Sequence, residues 1–111
     1  MPRILFILGL FFVLFSSANA QRIDPCKVYG KIYVVSQKNL ADVWVYIDES
    51  EGLAELMVYQ QNNRFYADRS GQWFFTNDKR EANFWVYFEP VKGHADFSIA
   101  YTDTESFAGC K

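Results

Sequence analysis

The chain is short of the residues from which most enzymes build their chemistry. It has one histidine, His94, and contains no Gly-x-Ser-x-Gly elbow, phosphate-binding glycine loop or His-rich metal spacing. Charge of one sign is also lacking: 11 Lys and Arg stand against 13 Asp and Glu, and the signs are interspersed. Such a balance argues against nucleic acid or an anionic membrane as partner. Long apolar runs are absent beyond Ile4–Phe15, which is too short to cross a bilayer of about 30 Å as a helix. Cysteine is limited to Cys26 and Cys110.

What the first residues do contain is an export signal. Met1-Pro2-Arg3 carries the positive charge, Ile4–Phe15 the apolar run, and Ala18-Asn19-Ala20 the small-x-small pattern that signal peptidase reads. Residues 1–20 are therefore expected to be removed, leaving 21–27 as an N-terminal segment carrying Cys26 and 28–111 as the folded domain. Losing Arg3 leaves 10 cations against 13 anions, a net charge of −3. The mature chain is expected to be a monomer in the periplasm or outside the cell, with no membrane contact. It keeps every Tyr and Trp, and each aromatic can bury about 150–250 Å².

The rest of the chain is organised by repetition. Ala41-Asp42-Val43-Trp44-Val45-Tyr46 returns as Ala54-Glu55-Leu56-Met57-Val58-Tyr59 and as Ala82-Asn83-Phe84-Trp85-Val86-Tyr87. Looser copies start at Ala67-Asp68 and Ala95-Asp96-Phe97, and a worn one at Ala108-Gly109. The alanines at 41, 54, 67, 82, 95 and 108 are spaced by 13, 13, 15, 13 and 13 residues. Within each copy Val, Phe, Trp and Tyr alternate with period two, the pattern of a strand. Ala41, Val43, Val45 and Ile47 are expected on one face, with Asp42, Trp44, Tyr46 and Asp48 on the other. The second copy sets Ala54, Leu56 and Val58 against Glu55, Met57 and Tyr59. In the fourth, Ala82, Phe84, Val86 and Phe88 oppose Asn83, Trp85, Tyr87 and Glu89.

Between these runs lie polar links too short for a stable helix. The chain therefore reads as all-β, with about six near-equivalent short strands in a compact, pseudo-symmetric body. A period of one strand places every strand in a similar environment, as around a rotation axis. The recurring alanine is then expected where backbones approach most closely. Two copies depart from the rule. The third carries Arg69-Ser70-Gly71-Gln72 and two extra residues, which points to a bulge, bend or wide turn. The fifth reaches its tyrosine, Tyr101, one residue late, which points to a bulge or a change of face.

An aromatic followed eight positions later by alanine and then an acidic or amide residue recurs at Tyr33/Ala41, Tyr46/Ala54, Tyr59/Ala67, Phe74/Ala82 and Tyr87/Ala95. The final copy, Tyr101/Ala108, is one residue short. This pattern, over about residues 28–111, resembles the septoil knot family of small exported bacterial proteins. The resemblance implies a backbone tracing a seven-crossing torus knot, although knots are almost absent from proteins. The family carries no assigned activity, so the resemblance leaves function open; no cofactor is expected.

Candidate sites follow from the residues themselves. Export places Cys26 and Cys110 in an oxidising compartment, where one disulfide is the simplest arrangement. Free thiols and intermolecular pairing are the alternatives. His94 has only Asp96 near it in sequence, which reads as a solvated link histidine and not a general base. Asp42, Glu55, Asp68, Asn83 and Asp96 could ring a calcium ion. More simply, each accepts hydrogen bonds from backbone amides where link becomes strand. Asp48-Glu49-Ser50-Glu51-Gly52 lacks the full calcium-loop pattern, so no metal is expected. Trp44, Tyr46, Trp85 and Tyr87 share a face and are the candidate binding residues; they either pack across strands or face a ligand.

The functional expectation is a non-enzymatic structural or binding module whose partner is an unknown protein or glycan. A carbohydrate-binding module is the alternative, and a small metal-dependent hydrolase stands as contrast. The leader makes one direct prediction. Intact mass of the secreted protein should match a chain starting at Gln21, and a product retaining Met1–Ala20 would contradict the reading.

Overall fold

The computed structural model describes residues 23–110, so the leader and its cleavage site lie outside the described residues. Seven strands follow one another: β1 (Gly30–Val34), β2 (Val43–Ile47), β3 (Leu56–Gln60), β4 (Gln72–Phe75), β5 (Phe84–Phe88), β6 (Phe97–Tyr101) and β7 (Gly109–Cys110). Among the described residues the only helical pieces are single 3₁₀ turns, four of them in the links and one at Pro25–Lys27. The first six strands pair in parallel in the order β4-β1-β5-β2-β6-β3, and β3 also pairs with β4, so they close a barrel.

Parallel neighbours usually need a crossover of about a dozen residues or more. Here the link from β1 to β2 is residues 35–42. The short strands make this possible. A five-residue strand is about 17 Å long and two strand spacings about 10 Å, so the return covers about 20 Å. Eight residues reach about 26 Å when extended, which leaves room for one 3₁₀ turn.

The order of strands explains the irregular spacing of the repeat. From β1 to β2 and from β2 to β3 the chain advances two places round the ring of six. A third advance of two would land on β1. The chain instead moves one place, from β3 to β4, and the 15-residue step begins in this link, 61–71, which is longer than the others. Steps of two then resume to β5 and β6, filling the gaps left on the first circuit. The next such step ends at the slot beside β3 that β4 partly fills. There β7 pairs antiparallel with Leu56 and Met57, while β4 pairs with Tyr59 and Gln60. The turn expected at Ser70-Gly71 is present, and Gly71 has φ +79°.

Alternation follows the expectation in most places. Ile32, Val43, Val45, Leu56, Val58, Val86, Phe97 and Ile99 fill the barrel, joined by Val28 and by Trp73. Trp73 is fully buried, its Nε1 donating to the Val28 carbonyl at 2.8 Å. A six-stranded barrel has a narrow interior, which suits branched aliphatics. The outward aromatics are half-buried beneath the links, which take the place of the helices usually covering a parallel sheet.

Several positions differ from the expectation, among them Glu89, assigned to the outer face but buried at the end of β5. Met57, assigned to the outer face, is buried with Ala54 and Ala100, at the place where β7 pairs on β3. Ile47, assigned inward, is 41% exposed because it lies at the open end of β2. The alanines are not all points of closest approach: Ala54 and Ala67 are buried, but Ala41, Ala82, Ala95 and Ala108 are half-buried. Ala41, Ala95 and Ala108 each close a 3₁₀ turn by donating to the carbonyl three residues back. The late tyrosine of the fifth copy resolves as a change of face. Pairing of β6 is continuous, and Tyr101 packs against the core.

Cys26 and Cys110 form a disulfide, 84 residues apart in sequence. A closed loop of that length stabilises by about 4–5 kcal/mol in the chain-entropy account. The Gly71 crossing yields a sharper prediction. A Cβ on Gly71 would collide with backbone atoms of Gly109 and Met57, in a backbone conformation that side chains avoid. Gly71→Ala should therefore cost about 3 kcal/mol or more in a denaturant melt. Gly93→Ala, which meets nothing within 4 Å, should change stability by less than about 0.5 kcal/mol. Ala54→Leu should cost about 1–3 kcal/mol by overpacking. Equal melts for the two glycine variants would contradict the crossing.

Candidate functional site

The residue after the alanine has a structural task in three of the copies. Asp42 donates its backbone N–H to the Trp85 carbonyl and accepts the Trp85 N–H on its carboxylate, both at 2.7 Å. Asp96 clasps Trp44 in the same way, again at 2.7 Å for both bonds. Asn83 clasps Lys31, with both bonds at 2.8 Å. The clasps thus run β5 to β1, β2 to β5 and β6 to β2, round one side of the ring. At the next position Glu55 donates to the carbonyl and Oγ of Ser98, so the side-chain half of the clasp has changed strand. Asp68, at the irregular link, makes an exposed ion pair with Arg69 at 3.5 Å. The hydrogen-bond reading thus holds for Asp42, Asn83 and Asp96, each of which bonds a separate strand.

The opposite ends of the strands carry a second series with the same period, which the sequence reading missed. Asp48, Thr76, Glu89 and Thr102 each accept from the amide two residues on, at 3.1–3.2 Å. Lys92 adds an ion pair to Asp48 at 2.6 Å. That bond, and then the Ser50 amide, holds the Asp48 carboxyl below its ordinary 3.8. The same bond holds Lys92 above 10.5. The Asp48 contribution is therefore present above the ordinary carboxylate value and lost as pH falls through the lowered one. The Lys92 contribution is present below 10.5 and lost as pH rises past its raised value. Burial raises the Tyr101 hydroxyl above 10.0. His94 sits exposed on the 3₁₀ turn Lys92–His94.

The four candidate aromatics do share the outer face, but they divide between two related arrangements. Trp44 packs edge-on against Tyr87 at 6.2 Å, with its Nε1 donating to the Lys38 carbonyl at 2.9 Å. Trp85 packs against Tyr33 at 5.4 Å, with its Nε1 donating to the Lys79 carbonyl at 3.3 Å. The two differ in where the lysine goes. Lys38 Nζ lies over the Trp44 ring, 5.2 Å from its centre, whereas among the described residues no cation lies over Trp85. Tyr46 has Lys92 Nζ 6.0 Å from its ring.

Beside Trp85 opens a groove of about 420 Å³, lined by Tyr33, Val34, Val35, Ser36, Gln37, Leu40 and Lys79 as well. A second groove, also about 420 Å³, lies where Tyr29, Gly30, Asp68, Asn83 and Phe84 meet. Of the groove residues beside Trp85, the sequence reading had named Trp85 alone. The missed signal was Lys-x5-Trp, written twice, at Lys38/Trp44 and Lys79/Trp85.

The clasp can be tested by removing one side of it. Asp96→Ala should destabilise by about 1 kcal/mol, while Asp96→Asn, which keeps an acceptor as Asn83 does, should restore most of the loss. If both variants melt alike, at wild-type stability, the clasp has no energetic role.

No curated protein and no solved structure matches the chain. The family described as the 7(1) septoil knot domain matches residues 25–111. That span takes in every strand, every clasp and both cysteines, and on it the chain belongs to the septoil knot domain family.

Proposed function

We propose that the protein is an exported, monomeric module that acts by binding through a rigid surface and carries out no reaction. One observation carries this reading: Asp42, Asp48, Glu81 and Asp96, which acid–base chemistry could draw on, are each spent singly on the frame. Asp42 and Asp96 are occupied by the amides of Trp85 and Trp44. Asp48 is occupied by Lys92, and Glu81 by Arg64 at 3.2 Å and by Thr76. His94 is exposed on its link. A general acid–base pair needs two titratable groups converging on one pocket.

Export is supported by the leader pattern together with the Cys26–Cys110 disulfide. The partner, protein or glycan, would meet the outer face, where aromatics and link residues are held in place by the strands beneath. Glycan binding is favoured by the groove at Trp85, in which aromatic and polar groups converge.

Purified mature protein, offered chromogenic esters, glycosides and phosphate esters, should turn none of them over. The same preparation should retain a glycan or a protein ligand on an immobilised panel. Turnover that His94→Ala abolishes would overturn the reading.

A further inference from the structure

We infer that the groove between Trp85 and the link after β1 is a binding site for an acidic saccharide, one bearing a carboxylate on a pyranose ring. The inference rests on the non-enzymatic binding reading and gives it a location and a ligand class.

The fold supplies its own control. Trp44 and Trp85 occupy equivalent places in two copies, each with an indole N–H fixed by a link carbonyl and a tyrosine on the neighbouring strand. At Trp44 the lysine six residues earlier lies over the ring and occupies it by cation–π attraction. At Trp85 the equivalent lysine, Lys79, lines the groove instead. The fourth copy therefore has an indole pinned in orientation at the edge of the groove, with no cation over its ring among the described residues.

Chemistry selects the ligand. A pyranose has a face of C–H bonds whose positive edges suit the negative face of an indole. Its hydroxyls need donors and acceptors, and the Ser36 hydroxyl and Gln37 amide stand in the lining, both on exposed residues. Among the described residues neither side chain has a hydrogen-bond partner within the protein. Among the described residues Lys79 is the single charged one in the lining. The acids on either side of it are already engaged: Asp78 pairs with Arg80 at 3.3 Å, and Glu81 pairs with Arg64 at 3.2 Å. The groove is thus a small positive site on a chain of net negative charge, and a carboxylate is what Lys79 can hold. Its volume of about 420 Å³ lies within the range of small-ligand pockets, which limits the occupant to one or two sugar units.

The test uses mature, disulfide-bonded protein labelled with ¹⁵N. It is titrated with glucuronate- and galacturonate-containing disaccharides and with their neutral counterparts. The acidic sugars should shift the Trp85 indole N–H and the amides of Tyr33, Ser36, Gln37 and Lys79, and leave the Trp44 indole in place. Lys79→Glu, an exposed change that leaves the fold intact, should weaken binding by about fivefold or more and erase the preference over neutral sugars. Trp85→Ala should abolish the shifts, and Trp85→Phe should retain part of the affinity. No shift at the Trp85 indole with any acidic sugar at 20 mM would overturn the inference, as would equal binding of acidic and neutral sugars that Lys79→Glu leaves unchanged. Release of new reducing ends would leave the site standing and overturn the non-enzymatic reading, so the two can fail separately.

Discussion

Strand pairing between distant parts of the chain is the constraint on which everything else depends. Every one of the first six strands lies between neighbours contributed by the other circuit, or by the single short step at the seam. The side-chain bonds of the clasps accordingly join residues 43 to 52 apart. No pair of these strands is a local hairpin, so little of the barrel can form before most of the chain is in place. Asp42, Asn83 and Asp96 make this tolerable. Each satisfies the amide of the second residue of the neighbouring strand, at the point where a link turns into the ladder and the donor would otherwise lack a protein partner.

The same architecture produces the surface. Because the strands are parallel and the links short, each link must pass over the outside of a neighbouring strand. Outward positions therefore need broad side chains with a polar tip, and the indole N–H bonds of Trp44 and Trp85 to link carbonyls fill that need. Repetition makes several such places, and small sequence differences decide which remains open. Lys38 covers Trp44; Lys79 leaves Trp85 beside a groove. A scaffold of this kind can carry a ligand site in one copy without disturbing the other five.

Much of this was written in the sequence. Alternation placed Val43, Val45, Leu56, Val58 and Val86 inside, and the alanine spacing counted the strands. What stayed hidden had physical causes. Met57 reads as an outward residue until β7 pairs beside it, and that pairing joins residues too far apart for any local pattern to register. Trp73 lies in the one copy whose aliphatics are replaced, so periodicity gave no reason to place it at the centre of the barrel. The two extra residues of the third copy were visible, but their purpose depends on ring order, which one-dimensional spacing does not contain. The groove was hidden for a related reason: Tyr33, Gln37 and Lys79 belong to separate links and strands and meet only through the interleaving.

The chain winds twice through the same ring and is then closed near its ends by Cys26–Cys110. Refolding after prolonged denaturation, with the disulfide intact or reduced, tests it most directly. An intact covalent circle retains its entanglement when unfolded, so it should regain native structure quickly. A reduced chain has time to untie and must thread again. It should refold more slowly by far more than the loss of loop closure alone explains, and the lag should grow with time spent unfolded. Equal refolding rates for the two forms, independent of the time spent unfolded, would contradict the account.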